Sequence, residues 1–231
     1  MYRIYLSPSN QPANKYCVGN TNEKAEMEAV AKKVKTILDE EYESKTVMAS
    51  LYLDIDINGR AKEAKDKGCH IYLAIHSNAG GGGSASGAVA FYHPDSLTGR
   101  LLAENTVKEL NAICPIKSNR STPVESGMKA FNNIGYGEIR NPSKLGLISV
   151  LVETDFHDNP KTAQWIVGNK DGIARAYVNA LVNTLNISRK NAPEVKKYYK
   201  VQVGAYSNKT NAKAMLKRLK SSGFEGFIKY E

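Results

Sequence analysis

Residues 70–76 read His70-Ile71-Tyr72-Leu73-Ala74-Ile75-His76, a nearly continuous apolar run that ends in a polar side chain. Runs of this kind are typical of a strand buried on both faces of a parallel sheet. A second such run, Leu147–Val152, ends at Glu153. The two runs predict central strands of an α/β fold, with His76 and Glu153 at their carboxyl ends.

Strand-like and helix-like patterns alternate around these runs, along residues 1–187. Glu23–Glu40 carries apolar residues at helical spacing after a suitable N-cap, Asn22, and predicts an amphipathic helix. Residues 115–146 lack a clear period and are predicted to be long loops with a possible short strand. This order favours a mostly parallel sheet covered by helices on both faces. The remaining predicted strands are Arg3–Leu6, Thr46–Leu51 and Ala88–Tyr92, and the remaining helices are Gly59–Lys67, Ser96–Ile113, Thr162–Ile166 and Ile173–Leu185.

Functional groups of such sheets gather where the carboxyl ends of the strands open onto loops. That rule selects four places in this chain. They are Ser7–Gln11, His76–Asn78, the segment after Tyr92, and Glu153.

The composition is that of an ordinary soluble protein. The 231 residues are 42% hydrophobic and 24% charged, which excludes disordered, collagen-like and disulfide-scaffold proteins. No apolar run approaches the ~18 residues that a membrane span needs, so none is expected. The chain enters its first strand without the apolar segment of a secretory signal. Its three cysteines are odd in number and have no CxxC spacing, so we expect reduced thiols and no thiolate zinc site.

The net charge of +9 is concentrated near the carboxyl terminus. Residues 189–231 hold eleven basic and three acidic side chains, a net of +8, and the other 188 residues have a net of +1. Any electrostatic attraction to a polyanion is therefore a property of this tail. An anionic cell-wall polymer and a nucleic acid would both fit the charge, but no nucleic-acid motif accompanies it, and nucleic-acid binding is not expected.

Three ionisable residues stand out by position, although each alone has an ordinary structural explanation. His76 ends a buried strand and could simply make a local hydrogen bond. Glu153 ends another, where a carboxylate is costly to desolvate unless it pairs with a cation or binds a metal. Glu23 opens the first helix, where acids favour the helix dipole.

Taken together, these residues resemble a known family. Asn22-Glu23-Lys24, Ile75-His76-Ser77-Asn78-Ala79 and Val150-Leu151-Val152-Glu153 match in order and spacing the zinc-dependent N-acetylmuramoyl-L-alanine amidases of the type 3 amidase family, and Arg60-Ala61 and Asn159-Pro160 also fit. The resemblance covers about residues 2–187. It implies a twisted sheet of about six strands. It also implies hydrolysis of the amide between N-acetylmuramic acid and L-alanine in peptidoglycan.

The resemblance also implies roles for the residues. Zinc would be held by Glu23 and His76, and Glu153 would be the general base. The family's first ligand, a histidine after the first strand, is missing, because the chain has Leu6-Ser7-Pro8-Ser9-Asn10-Gln11-Pro12 there. We predict Gln11 as the third ligand. Asn10 is nearly as good a candidate, His157 and His93 are possible substitutes, and a neutral amide would weaken metal binding. Asn78 and His93 are predicted substrate contacts.

The tail resembles half of another known domain. Tyr199–Asn208, with Asn211-Ala212 and Leu219–Phe224, is similar to the opening β-α-β half of a sporulation-related (SPOR) repeat, a family that binds peptidoglycan. Gln202 and Tyr206 are the predicted sugar contacts. Because only about half of the usual domain is present, the unit is expected to pair with a second copy in a homodimer or to dock on the amidase domain.

The sequence thus predicts an amidase domain at 1–187, a linker at 188–197 and a wall-binding module at 198–231. The expected protein is a cytoplasmically made hydrolase that reaches the cell wall after lysis, as a phage endolysin or a lytic amidase of spore formers does. Two alternatives stay open. One is a non-catalytic peptidoglycan-binding protein with a degenerate site, and the other is a zinc hydrolase that cleaves a different bond of the wall.

Overall fold

The computed structural model describes residues 1–51, 55–190 and 201–230. The chain divides into two compact units, residues 1–192 and residues 193–231, which we call the N-terminal and C-terminal units. The strands are β1 (Tyr2–Pro8), β2 (Ser44–Met48), β3 (Ile71–Asn78), β4 (Val89–Tyr92), β5 (Val124–Ser126) and β6 (Ile148–Phe156). The helices are α1 (Glu23–Glu41), α2 (Ile57–Asp66), α3 (Leu97–Ile113), α4 (Ala130–Asn133), α5 (Gly137–Lys144), α6 (Pro160–Gly168), α7 (Lys170–Leu185) and α8 (Lys209–Ser221), with a 3-10 turn at Gly127–Lys129.

The N-terminal unit is built on one six-stranded sheet in the order β2-β1-β3-β6-β4-β5. The first four strands of this order are mutually parallel. β4 runs antiparallel to β6, and β5 runs parallel to β4. The predicted α/β class, with a mostly parallel six-stranded sheet, is confirmed.

Helices cover both faces of this sheet, as the sequence predicts. On one face, side chains of α1, α3, α6 and α7 pack on alternate residues of the central strands, such as Leu73 and Val152. On the other face, Ala64 of α2 and Ile139 of α5 pack with Tyr72 and Leu151. Because β3 and β6 are apolar toward both cores, they need the near-continuous apolar sequence that marked them at the outset.

Local capping explains where the long helices begin. The side chains of Asn22, Asp56 and Ser96 accept hydrogen bonds from the backbone N–H three residues later, at 3.0, 2.7 and 3.0 Å. Asn159 caps α6 in front of Pro160, which suits the first helical turn. The predicted helices appear near the expected places, but α2 and α6 start two residues earlier than predicted and α7 three. For α2 the reason is that Asp56 is its cap.

Two sequence predictions about this unit are wrong. β4 was expected to end at the same edge as β3 and β6, but it is antiparallel to β6, so the segment after Tyr92 lies at the opposite edge. Residues 115–146 were expected to be long loops with a possible short strand; the short strand is present as β5, but the segment also contains the 3-10 turn, α4 and α5. α5 is short and contains Pro142, which hides its helical pattern.

The C-terminal unit contains one helix, α8, among residues 201–230. The two strands of the β-α-β half are predicted at Tyr198–Tyr206, from alternating residues, and at Gly226–Tyr230. Residues 198–200 lie outside the described residues, and neither 201–206 nor Gly226–Tyr230 has strand structure. Large apolar side chains such as Val201 and Phe227 are 87% and 78% exposed, because this short segment is too small to enclose a core of its own. No helix in the described part of the chain is long and apolar enough to cross a membrane.

Candidate active site

The carboxyl ends of β1, β3 and β6 meet at one edge of the sheet and bring three predicted segments together. Pro8 of β1 is in register with Ile75 of β3, and His76 is in register with Glu153 of β6. Neighbouring strands lie about 4.8 Å apart, and residues in register point to the same face. His76 and Glu153 therefore stand side by side at this edge.

Glu23 reaches the same place from the first residue of α1. Its backbone N–H donates to the carbonyl of Asn14, which fixes the start of the helix. Its side chain is almost completely buried, and Oε1 lies 2.9 Å from Nδ1 of His76. The same oxygen accepts a 3.3 Å hydrogen bond from the backbone N–H of Ser77.

The loop after β1 supplies two amide side chains to this pair. The amide nitrogen of Gln11 lies 3.4 Å from Nδ1 of His76, on the side where Glu23 lies. Asn14 donates from Nδ2 to Oε2 of Glu23 at 2.6 Å and to Oε1 of the Gln11 side chain at 2.9 Å. The structure thus places Gln11 beside His76, although Gln11, like the neighbouring Asn10, is exposed. Asn14 is a contact that the sequence analysis missed, because no pattern distinguishes it from an ordinary loop residue.

Glu153 differs from Glu23, because one of its carboxyl oxygens is buried without a hydrogen-bond partner among the described residues. Its Oε2 has no hydrogen bond to any described residue. Burial raises the pKa of Glu153 to about 7, the charge of Glu23 adds to this rise, and the positive charge of His76 opposes it. A carboxyl group with a pKa near 7 can both take up and release a proton at neutral pH.

His76 and Glu23 form the charged part of the site. Burial alone would lower the pKa of His76, but the carboxylates of Glu138, Glu23 and Glu153 outweigh it and raise this pKa to about 10. Burial would likewise raise the pKa of Glu23, but its contact with His76 lowers it. Both groups are therefore ionised near neutral pH in the protein without a bound ion.

Two neighbours of the site come from the segment predicted to be loops. Glu138, in the first turn of α5, is buried, and its Oε1 lies 3.7 Å from Nε2 of His76. Tyr136, just before α5, packs on Phe91 with ring centroids 4.7 Å apart. Burial and the charge of Glu153 both raise the pKa of Tyr136. In the sequence, the acidic Glu138 directly precedes the apolar Ile139, and this pair was the signal that could have indicated a half-buried helix start.

The two histidines considered as substitutes lie elsewhere. His157 is on the other side of β3, where its Nδ1 is 3.0 Å from Oγ of Ser77 and its ring stacks on Tyr16. His93 follows β4 and lies at the opposite edge of the sheet, about 13 Å along the strand from the level of Glu153. The interpretation of His93 as a ligand or a substrate contact at this site is therefore wrong, because it assumed a parallel β4.

The other predicted substrate contacts are placed as follows. Asn78 ends β3 at the edge of the site and accepts a 2.8 Å hydrogen bond from the N–H of Ala79. Gln202 and Tyr206 lie in the C-terminal unit and are exposed. Gln202 donates a 3.4 Å hydrogen bond to the carbonyl of Gly204.

The site fits a divalent cation in its chemistry. A buried carboxylate and an imidazole nitrogen 2.9 Å apart are ligands that zinc favours, and a buried carboxyl oxygen of Glu153 is left without a partner beside them. Among the described residues, however, no group of three His, Cys, Asp or Glu side chains could hold a metal ion. The side chain that the loop after β1 adds next to His76 is an amide, Gln11, whose Nε2 lies 3.4 Å from Nδ1.

Arg60 supports the loop that carries Gln11. It is buried in α2, and Nη1 donates to Oγ of Ser7, at 3.0 Å, and to the carbonyl of Pro8. We expect Arg60→Met to lower the free energy of unfolding by about 3 kcal/mol, because two acceptors lose a charged donor in a buried place. Thermal unfolding measures this, with Lys62→Met on the exposed side of α2 as the control. Equal melting temperatures for the two variants would contradict the supporting role.

Two sequence families match the chain. The family described as N-acetylmuramoyl-L-alanine amidase matches residues 8–183. The SPOR domain matches residues 174–230. The second match begins inside α7, whose side chains belong to the core of the N-terminal unit.

Two relatives are described as amidases of this kind, and two solved structures share the fold. A sporulation-specific N-acetylmuramoyl-L-alanine amidase of Bacillus subtilis (strain 168) is 24% identical over 99% of this chain and 84% of its own length. The amidase CwlM of Bacillus licheniformis is 26% identical over 100% of this chain and 85% of its own length. The catalytic domain of CwlV from Bacillus (Paenibacillus) polymyxa var. colistinus superposes with a TM-score of 0.67 at 16% identity, over 81% of this chain and 100% of that domain. An N-acetylmuramoyl-L-alanine amidase from Clostridium difficile 630 gives 0.64 at 20% identity, over 80% and 97%.

Proposed function

The chain belongs to the N-acetylmuramoyl-L-alanine amidase family, and we propose that it performs the family's reaction with a divalent metal ion held by Glu23, His76 and Gln11. The bond cleaved is the amide between N-acetylmuramic acid and L-alanine in peptidoglycan. Zinc is the ion we propose, since it accepts carboxylate and imidazole ligands readily. When bound, such an ion supplies Lewis acidity, which polarises a carbonyl group and acidifies a neighbouring water.

Side chains and backbone groups of the protein transfer the proton and hold the carboxylate ligand in place. Glu153 takes a proton from the attacking water and returns it to the nitrogen of the leaving L-alanine, so that it is ionised again at the end of the cycle. Its pKa of about 7 suits both steps. Asn14 and the Ser77 N–H hold the Glu23 carboxylate in place, because each donates a hydrogen bond to it.

One observation carries the proposal. Glu23 and His76, which are far apart in sequence, meet at 2.9 Å at the strand edge where Glu153 is in register with His76. The test is incubation with purified cell walls. We expect new free amino groups from L-alanine, without new reducing sugars, and loss of this release with a chelator. New amines within the stem peptide would instead indicate a peptidase, and binding to the walls with unchanged turbidity would indicate a non-catalytic protein.

We also propose that the C-terminal unit binds peptidoglycan and pairs with a second copy of itself. The SPOR match supports wall binding. The part of that match in α7 is already buried in the N-terminal unit, so only the residues beyond it remain for the module. In α8, Ala212, Met215, Leu216 and Leu219 form a half-exposed apolar stripe at helical spacing. A second copy would cover this stripe together with the exposed Phe227.

The pairing makes a direct prediction. We expect the protein to sediment as a dimer and Phe227→Glu to weaken the dimer at least about a hundredfold, because a charge would be buried in an apolar contact. Sedimentation velocity over a range of concentrations measures this. Ser221→Glu adds the same charge to the exposed end of α8 and should leave the dimer intact. A wild-type protein that stays monomeric at every concentration would contradict the proposal.

We propose, finally, that the protein acts on the wall during lysis, as an endolysin or a mother-cell lytic amidase. The relative from Bacillus subtilis is described as sporulation-specific, which supports the second setting. Expression confined to spore-forming cells would support it further, and induction with a prophage would support the first.

A further inference from the structure

The imidazole of His76 has a different carboxylate at each nitrogen. Nδ1 faces Glu23 at 2.9 Å and Gln11 at 3.4 Å. Nε2 faces Oε1 of Glu138 at 3.7 Å. Nε2 is buried and makes no hydrogen bond to a described residue, so Glu138 is the carboxylate placed to compensate it. At 3.7 Å the two atoms form an ion pair, and a shift of about 0.8 Å would close it to a hydrogen bond.

Glu138 is itself held by a network on the same face of the sheet. Its Oε2 accepts a short hydrogen bond from the hydroxyl of Tyr72, and that hydroxyl lies 2.9 Å from Oγ of Ser7. Ser7 in turn accepts from Arg60. Burial and the negative charge of Glu138 raise the pKa of Tyr72 well above its usual value, so the phenol stays a neutral donor. The carboxylate is therefore fixed on one oxygen and turned toward His76 with the other.

We propose that Glu138 is a positioning residue, which accepts the Nε2 proton of His76 and so leaves the Nδ1 lone pair for the ion that Glu23 and Gln11 would hold. The inference rests on the metal site proposed above. Histidine ligands commonly donate their second ring N–H to a carboxylate, which fixes the tautomer and the ring orientation. Glu23 lies at Nδ1, whereas Glu138 lies at Nε2. Glu138 is therefore not placed to be a ligand beside Nδ1, and its role is to orient the ring.

Zinc affinity tests the proposal, because a positioning carboxylate changes it and a purely structural one does not. We expect Glu138→Ala to raise the zinc dissociation constant about 10- to 100-fold, and Glu138→Gln to raise it less, since an amide oxygen still accepts weakly. Competition with a chromophoric chelator measures the constant. Glu63→Ala is the matched control: Glu63 accepts from Tyr5 as Glu138 does from Tyr72, the two tyrosine rings stack at 5.3 Å, and the other partners of Glu63 are Ser50 and Lys67. It should cost stability and leave zinc affinity unchanged.

A second readout is the imidazole itself. In nitrogen-15 NMR spectra of the zinc-loaded protein we expect a protonated, hydrogen-bonded Nε2 for His76, and an altered Nε2 signal in the Glu138 variants. Wild-type zinc affinity together with an unchanged His76 signal in Glu138→Ala would overturn the proposal, and Glu138→Gln decides by the same criteria if the alanine variant does not fold. A wild-type protein that binds no zinc would overturn the metal site itself and this inference with it, which is a separate and recognisable outcome.

Discussion

Replacing Glu153 with glutamine is expected to reduce wall hydrolysis about a hundred- to ten-thousandfold and, in the metal-free protein, to increase stability at neutral and higher pH. The rate falls because the amide cannot take up the proton of the attacking water. The stability rises because burial raises the pKa of Glu153 from 4.5 to about 7. The folded protein therefore holds a proton that the unfolded chain has released, and ionising this buried carboxyl costs stability as pH rises from about 4.5 to about 7.

The expected rise in stability distinguishes this effect from ordinary damage to the fold, which would lower stability. Above pH 7 the glutamine variant should be more stable by about 2–3 kcal/mol, or roughly 5–10 °C in melting temperature, and below pH 4.5 the difference should disappear. Amine release and thermal unfolding across this pH range measure the two parts. Glu104→Gln, at a surface pair with Arg100, is the control and should change neither. Near-normal hydrolysis by Glu153→Gln would remove Glu153 from the mechanism.

The central part of the site was predictable because strand ends impose it. A strand buried on both faces has a distinctive sequence, and polar residues that end neighbouring parallel strands must meet at one edge. His76 and Glu153 follow from this rule alone. Glu23 does not, since a helix start can lie anywhere along an edge, and only the family resemblance connected it to His76. Its position became evident through its 2.9 Å contact with Nδ1.

The errors have equally physical causes. The position of His93 depended on the direction of β4, and a four-residue strand carries no sign of direction in its own sequence. The connection before it was informative, because residues 79–88 contain no helix, whereas a parallel crossover usually needs a dozen or more residues and a helix. Glu138 was missed because Pro142 and the flanking glycines obscure the periodicity of α5. Its role depends on packing against Tyr72, which is a tertiary contact.

Metal binding gives the second large expected effect. His76→Ala and Glu23→Gln should each weaken zinc binding at least about a hundredfold, because each removes one of the two strong ligands of the proposed set, which Gln11 completes with an amide. Without the ion, the raised pKa of about 10 means that His76 carries a proton that zinc must displace. Zinc affinity should therefore rise about tenfold per pH unit from pH 7 to pH 9 in the wild-type protein and lose most of this dependence in His76→Ala. Equilibrium dialysis at several pH values measures both effects.

The controls for this prediction come from the same strand and the same loop. His70 is exposed just before the opposite end of β3, and His70→Ala should bind zinc as the wild type does. Gln11→His should tighten binding, because imidazole is a better zinc ligand than an amide oxygen. Asn10→His should not, because Gln11 is the residue of this loop whose amide lies 3.4 Å from Nδ1 of His76. The opposite result, with tighter binding only in Asn10→His, would assign the third ligand to position 10 and show that the loop rearranges when the ion binds. Equal affinities in wild type, Gln11→His and Gln11→Ala would mean that this loop supplies no ligand, since the affinity of a bound ion must respond to a change in its ligands.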